Sequence, residues 1–381
     1  MSKSVEKMIA DTFMDIASAI ETGSFGQAKI VLTGLGSEHG EDNMIQGAAM
    51  AAARGVDVIY AGSKTHDGVK TVSADCEKDA HDIMESLLSS GEADGAVTMH
   101  YLFPIGVSTV GRVLTPGMGR AMYIATTTGT SSTDRVEGMV KNTLYGIIAA
   151  KACGIKNPTV GILNIDGAQK TEMALKELKK NGYDINFAES GRADGGSIMR
   201  GNDMLSGACD VLVTDSLTGN IIMKTMSSFT TGGSYESLGW GYGPGIGQGY
   251  ERLVLILSRA SGAPVVANAI EFASELVRGD YKAVAAREFA AAEKANLKLV
   301  LESLRTANAA ADTASVKEPP KEPITAEISG IEITDLDDAV AALWQENIYA
   351  QSGMGCTGPI VMVSEGKLDR AKAVLSAKGF N

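Results

Sequence analysis

From Ala28 onward the chain alternates short, nearly uninterrupted apolar runs with segments of helical period, and this rhythm restricts the fold more than any other property of the sequence. Ala28–Gly36 (AKIVLTGLG), Val56–Gly62 (VDVIYAG), GAVTM, AMYIATTTG, TVGILN, DINFAE, Ala208–Asp215 (ACDVLVTD) and RLVLILSRA read as strands. NMIQGAAMAAARG, ADCEKDAHDIMESLLSSG, RVEGMVKNTLYGIIAAKACG, QKTEMALKELKKNG and IIMKTMSSF read as helices. Strands apolar on both faces are buried on both, and the intervening helices supply the cover. The expected fold class is therefore α/β, three-layer αβα with mostly parallel sheets. An amphipathic helix over about Val5 to Ile20 precedes this core, and Tyr281 to Ala310 reads as one long Ala-rich helix or a pair.

Two stretches break the rhythm. His100 to Gly119 reads as irregular, and Gly232–Gly249 holds eight glycines together with Tyr235, Trp240 and Tyr242, which suits a lid, a partner surface or a long crossover. A third break is ADTASVKEPPKEPITAEISG, where Pro319, Pro320 and Pro323 forbid regular structure. The expected organisation is a main α/β domain over 1–311, a Pro-rich linker over 312–326 and a C-terminal α/β segment over 327–381. That segment, two helices around one strand, is too small for a large core and is expected to lean on the main domain or on another chain.

Charge and residue usage narrow the chemistry. The formal net charge is −12 with no Lys/Arg block, which argues against nucleic acid and against an anionic membrane as main partner. Cys76, Cys153, Cys209 and Cys356 are too widely spaced for a CxxC pattern, and His39, His66, His81 and His100 form neither HxH nor HExxH, so no metal site and no cofactor is indicated. No secretory n-region and h-region stands at the start and no apolar run reaches ~18 residues. A reducing cytoplasm is the consistent compartment.

Candidate site residues cluster after predicted strands. DSLTGNIIMK, Asp215 to Lys224, carries a strand end through a glycine turn into a helix starting at about Asn220. Unpaired N–H groups at Gly219 and Asn220, with Lys224 one turn on, would suit phosphate or a developing oxyanion; an ordinary capped helix is the alternative. Asp215 orients a hydroxyl or a lysine, or only caps the turn. Ser258 and Arg259 in LILSRASG stand at another strand end, where Arg either forks onto phosphate or makes a surface ion pair. Gly34, Gly36 and Ser37 repeat that geometry and complete one wall, and His39 is a base or a solvated loop histidine. Arg120 in TPGMGR and Arg192 and Arg200 in SGRADGGSIMRGN are further candidates for anion contact. Cys356 in SGMGCTGPIVMV is expected on a glycine-rich helix-to-strand loop, either as an acyl-carrying nucleophile or as a small buried hydrophobe.

CDVLVTDSLTGNIIMKT followed by LSRASGAPVVANAIEFA resembles the core of phosphate acetyltransferases and of the phosphate acyltransferases of fatty-acid synthesis. The resemblance implies a phosphotransacylase-like, isopropylmalate-dehydrogenase-like architecture of two subdomains with a crevice between them. It also implies an acyl-phosphate and phosphate site at Gly219, Asn220, Lys224, Ser258 and Arg259. Over its whole length, including the proline linker and the MGCTGP loop, the chain is similar to the alpha subunits of component C of glycine/sarcosine/betaine reductase. That family implies that Cys356 receives an acetyl group from selenoprotein A and that inorganic phosphate releases it as acetyl phosphate. A larger beta subunit is the implied partner, with a homodimer core in the wider superfamily. Two alternatives stay open: a free phosphate acetyltransferase using acetyl-CoA, and a non-catalytic scaffold that docks a larger partner.

Overall fold

The computed structural model describes residue 13 and residues 27–192, 195–304, 317–331, 335–355 and 358–380. These fall into two compact units that divide between Leu301 and Glu302. The amphipathic helix expected over Val5 to Ile20 lies outside the described residues, residue 13 excepted.

In chain order the first unit runs β1 (Lys29–Thr33), α1 (Gly40–Ala53), β2 (Asp57–Gly62), β3 (Lys70–Ser73), α2 (Glu77–Ser90), β4 (Gly95–Thr98), β5 (Val107–Leu114) and β6 (Ala121–Thr130). It continues with α3 (Arg135–Ala152), β7 (Thr159–Leu163), α4 (Ala168–Lys180), β8 (Asn186–Phe187), β9 (Ile198–Met199), α5 (Gly201–Ser206) and β10 (Val211–Val213). Last come α6 (Ser216–Ser227), β11 (Gly243–Ile246), β12 (Val254–Ile256), α7 (Ala263–Arg278) and α8 (Tyr281–Lys294). The strands form one sheet ordered β3-β2-β1-β4-β12-β11-β5-β6-β10-β7-β8, with β9 also on β7. The α/β expectation holds. All pairs within β3-β2-β1-β4-β12 and within β6-β10-β7-β8 are parallel. The junction is not: β12 to β11, β11 to β5 and β5 to β6 are antiparallel steps. Three reversals leave the second half running opposite to the first.

That junction is where sequence and structure part. His100 to Gly119 contains β5, which is buried over seven of its eight residues. Its polar residues misled the pattern because each finds a distant partner: Ser108 donates to Asn142 at 3.1 Å, Thr109 pairs with Thr127 at 2.7 Å, and Arg112 pairs with Glu275 at 2.5 Å. The Gly232–Gly249 stretch contains β11, and Trp240 and Tyr242 turn inward while Tyr235 is exposed. Trp240 lies 4.1 Å from the Arg112 guanidinium, with Phe272 at 4.9 Å, so the arginine is enclosed by rings as well as paired. Tyr242 is 3 % exposed. The Ala-rich stretch is a pair of helices, as one of the two expectations had it: the first ends at Lys294, and Asn296 takes a positive φ of 64° before helix resumes over 297–304.

Two helix–helix contacts are close because a glycine permits them. A Cβ on Gly47 of α1 would meet Val266 of α7 at 2.6 Å, and one on Gly279, at the end of α7, would meet the Ala152 carbonyl of α3 at 1.7 Å. α3 itself is buried along most of its length, from Val136 to Ala152.

The second unit is built from β13 (Ala326–Ser329), α9 (Leu336–Gln345), β14 (Ala350–Gly355), β15 (Gly358–Val363) and α10 (Leu368–Ala377). Its antiparallel sheet is ordered β13-β15-β14, over a core that includes Ile328, Leu343, Ile348, Val361 and Leu375. Two expectations are corrected. Among the described residues there are three strands, not one, because AEIS and AQSGMG carry too little β-branched or alternating pattern to read as strands. The helix before Cys356 also stops at Gln345, where Asn347 takes a φ of 56°. The residues flanking Cys356 therefore belong to paired strands, with Gly355 opposite Gly358, rather than to a helix-to-strand loop. Cys356 and Thr357 lie outside the described residues.

The 1.7 Å approach at Gly279 is to backbone and cannot be relieved by a side-chain rotation. Gly279→Ala is expected to lower thermal stability by about 1–3 kcal/mol through overpacking. Gly201→Ala, at a helix start with open space around it, is expected to leave the melting midpoint within a degree or two, or to raise it slightly.

Candidate active site

The segment after β10 supplies the first wall. α6 begins at Ser216 rather than at Asn220, because Asp215 is its N-cap: its carboxylate accepts from the Thr218 N–H at 2.9 Å and the Thr218 hydroxyl at 2.8 Å. The D-x-x-T spacing was the available signal. In consequence the Gly219 N–H is not free; it donates to the Asp215 carbonyl at 2.9 Å. Gly219 is needed for another reason. A Cβ there would stand 1.7 Å from the Thr126 carbonyl, so glycine lets α6 lie directly on β6. That contact brings the Asn220 side chain to the Thr127 carbonyl at 3.1 Å and carries Lys224, one turn on, to the same side.

The segment after β12 supplies the second wall. Ser258 and Arg259 follow Leu257 at the strand's carboxyl end, and the turn beyond them is stitched to the loop after β1. The Glu38 N–H and Ser37 hydroxyl donate to the Arg259 carbonyl at 2.9 and 3.4 Å, and His39 Nε2 lies 3.2 Å from the Ala260 carbonyl. Asn43 bridges the turn, donating to the Ser261 carbonyl at 3.0 Å and accepting from the Ala263 N–H at 2.7 Å. It caps α7 from another helix, a relation no local pattern reveals. Arg259 donates to the Gly36 carbonyl at 2.7 Å and to both oxygens of Glu77, at 3.2 and 2.9 Å. Its hydrogen bond holds the Glu77 carboxyl below the usual carboxylate range. Gly36 takes a φ of 99°, and a Cβ there would meet Arg259 at 2.6 Å. Gly34 serves packing, since a Cβ there would strike the Tyr60 ring.

Between these walls lies a cleft of about 300 Å³ lined by Asn220, Lys224, Ser258 and Arg259, together with Glu38, Thr128 and Tyr242. Four of the residues singled out in the sequence therefore meet in one place. Asp215 does not join them; it lines a separate depression of about 250 Å³ with Ser131, Asp134 and Arg135. His39 stands behind the cleft wall, its ring 5.8 Å from that of Tyr235. Arg120 is remote: it pairs with Asp210 and donates to the Gly207 carbonyl at 3.0 Å, at the amino end of β10, whereas the cleft lies beyond the carboxyl end. Arg192 and Arg200 flank Asp203, whose carboxylate accepts from the Arg200 N–H at 2.9 Å and from Gly191, at the edge of the second half-sheet.

Each cation of the cleft has a carboxylate beside it. Arg259 has Glu77, and Lys224 has Glu236 at 3.8 Å, with the Tyr242 ring 5.6 Å below the ammonium. Glu236 was not among the residues singled out in the sequence, since an acid inside a glycine-rich loop carries no periodic signal. Burial, and then the neighbouring Glu236 carboxylate, push the Tyr242 phenol far above its ordinary value, so it remains a proton donor. Among the described residues no cluster of three or more His, Cys, Asp or Glu side chains could hold a metal ion, and no helix is long and apolar enough to cross a membrane.

Three thiols are described. Burial pushes Cys209 up to about 12 and Cys153 up to about 11, while Cys76 is exposed. Thiolate is the reactive form. At pH 8 the folded chain is therefore expected to take an alkylating label at Cys76 and to leave Cys153 and Cys209 unmodified, as read by peptide mass spectrometry; denaturation should expose both.

The family model described as "Fatty acid synthesis protein" matches residues 28–362. The alpha subunit of glycine/sarcosine/betaine reductase complex component C from Peptoclostridium acidaminophilum is 60 % identical over 380 residues, 99 % of each chain. A phosphate acyltransferase of Staphylococcus epidermidis is 32 % identical over 178 residues, 41 % of this chain and 50 % of that one. A branched-chain phosphotransacylase of Enterococcus faecalis V583 superposes with a TM-score of 0.45 and 17 % identity, over 65 % of this chain and 99 % of that chain. The match over residues 28–362 and the end-to-end identity establish that the chain belongs to the fatty acid synthesis protein family and, within it, to the alpha subunits of glycine/sarcosine/betaine reductase component C.

Proposed function

We propose that the chain is the acetyl-phosphate-forming acyltransferase subunit of an amino-acid reductase complex. The observation that carries this reading is the 60 % identity over 99 % of the chain to a component C alpha subunit. An acetyl group arrives from selenoprotein A, is held as a thioester on Cys356, and leaves on inorganic phosphate. A larger beta subunit is the partner, and the cytoplasm the compartment.

The cleft has the chemistry that the second step needs. Lys224 and Arg259 offer charge to a phosphate dianion, and the Asn220 amide and the Ser258 and Thr128 hydroxyls offer neutral donors. A phosphate oxygen adds to the thioester carbonyl carbon, and the carbonyl electrons move onto oxygen, where such donors stabilise them. The intermediate collapses with cleavage of the C–S bond, whose electron pair leaves on sulfur. The proton of the phosphate passes to that sulfur, giving acetyl phosphate and a free thiol. Atoms and charge balance with no redox step.

Incubating the chain with acetyl phosphate and digesting it is expected to add one acetyl group, on the peptide containing Cys356, and none in Cys356→Ala. Acetyl label that appears elsewhere and turns over normally in Cys356→Ala would transfer the reading to a mechanism without a covalent cysteine. Lys224→Gln and Arg259→Gln are each expected to raise KM for phosphate about tenfold or more while leaving Cys356 acetylation by the donor intact, since each removes one charge-assisted contact.

A further inference from the structure

Glu236 does not line the cleft but lies buried behind two residues that do, Lys224 and Tyr242. The residue is 3 % exposed, and the groups that face it come from three elements. Lys224 of α6 stands 3.8 Å from Oε1; the Tyr242 hydroxyl, from the segment before β11, donates to Oε1 at 3.1 Å; the Ser261 hydroxyl, from the turn before α7, lies 3.4 Å from Oε2. Its backbone is pinned as well, its N–H to the Ala260 carbonyl at 2.9 Å and its carbonyl to the Gly262 N–H at 2.8 Å. The partner of the other cleft cation is different. Glu77 and Arg259 have side chains 51 % and 43 % exposed, so water and salt screen that pair, whereas the Glu236 side chain is 4 % exposed.

We propose that Glu236 is a positioning residue that offsets the charge of Lys224, so that the cleft holds phosphate and acetyl phosphate weakly enough to exchange them. This rests on the reading of the cleft as a phosphate site. A dianion on the open side of Lys224, whose own side chain is 55 % exposed, meets the ammonium and, behind it, a buried carboxylate of its own sign, which subtracts from the attraction. The subtraction has a use. Phosphate and acetyl phosphate present similar charged groups, so tight uniform binding of both would slow release without speeding the chemistry. Tyr242 tunes the same balance, since its hydroxyl withdraws part of the carboxylate's charge from Lys224.

The test is a titration of the full chain with inorganic phosphate and, separately, with acetyl phosphate, by calorimetry or phosphorus NMR, with steady-state kinetics alongside. Glu236→Gln keeps the shape and can keep the bond from Tyr242 on its amide oxygen, while its amide nitrogen would donate to the Ser261 hydroxyl instead of accepting from it; the charge is removed. It is expected to bind both anions about tenfold more tightly, with KM for phosphate falling in step and kcat falling as release slows. Loss of a merely structural contact would weaken binding, so equal or weaker binding by folded Glu236→Gln overturns the proposal. Tyr242→Phe is expected to act in the opposite direction, weakening phosphate about threefold. Unchanged or tighter binding there counts against the proposal, and this variant decides if Glu236→Gln does not fold. Wild-type chain that binds no phosphate at millimolar concentration would overturn the reading of the cleft and this inference together; wild-type binding with an unaltered Glu236→Gln would overturn the inference alone.

Discussion

The buried backbone of Gly243–Ile246 has to find hydrogen-bond partners on both sides, and the molecule is arranged around the way it does so. Gly243 and Pro244 face Ile256 and Leu255 of β12, while Gly245 and Ile246 face Thr109 and Ser108 of β5. The neighbours come so close that a Cβ on Gly243 would stand 1.8 Å from the Val110 carbonyl, and one on Gly245 would enter the Phe103 ring. Only a glycine-rich strand fits this slot, and together with β5 it joins two half-sheets that run in opposite directions. The same anchoring fixes the segment before it. Trp240 donates its N–H to the Arg112 carbonyl and Tyr242 to the Ile256 carbonyl, each at 2.9 Å, which sets Tyr242 in the cleft.

Legibility in the sequence follows from how local each cause is. The runs that became β1, β2, β4, β6, β7, β10 and β12 were readable because burial on both faces leaves an apolar record within the segment itself. Asn220, Lys224, Ser258 and Arg259 could be grouped because residues just beyond parallel strands converge on one edge. What escaped depends on partners far away in the chain. β5 hides its strand character behind Ser108, Thr109 and Arg112, whose partners lie between 18 and 163 residues away. Asn43 caps a helix 220 residues on. Glu236 becomes a site residue only when Lys224 and Tyr242 surround it. The start of α6 is the exception: Asp215 and Thr218 carry that information locally, and Gly219 lies within the helix instead of in a turn before it.

For a chain of net charge −12 the proposed handling of phosphate poses an electrostatic contradiction, which the cleft would resolve by distance. Beyond about 8 Å in physiological salt the distributed acidic surface is screened, so the charges that matter are those within the cleft. There Lys224 and Arg259 stand against Glu38 on the lining and against their ion-pair partners Glu236 and Glu77 behind it. Affinity for an anion is thus set by a small difference between nearby charges, and burial decides which of them count.

The order of strands in space also has a consequence for the newly made chain. β4, residues 95 to 98, has β1 on one side and β12, residues 254 to 256, on the other. During synthesis the first half-sheet therefore waits with an open edge while more than 150 further residues are added, and the second half-sheet, β6 with β10 and β7, has all its strands before that edge can close. Ala96, Val97 and Thr98 gain their ladder partners on that side only with the late arrival of Val254–Ile256. An unpaired edge of Gly95–Thr98, apolar on both faces, is the part of the nascent protein most open to pairing with a neighbouring chain.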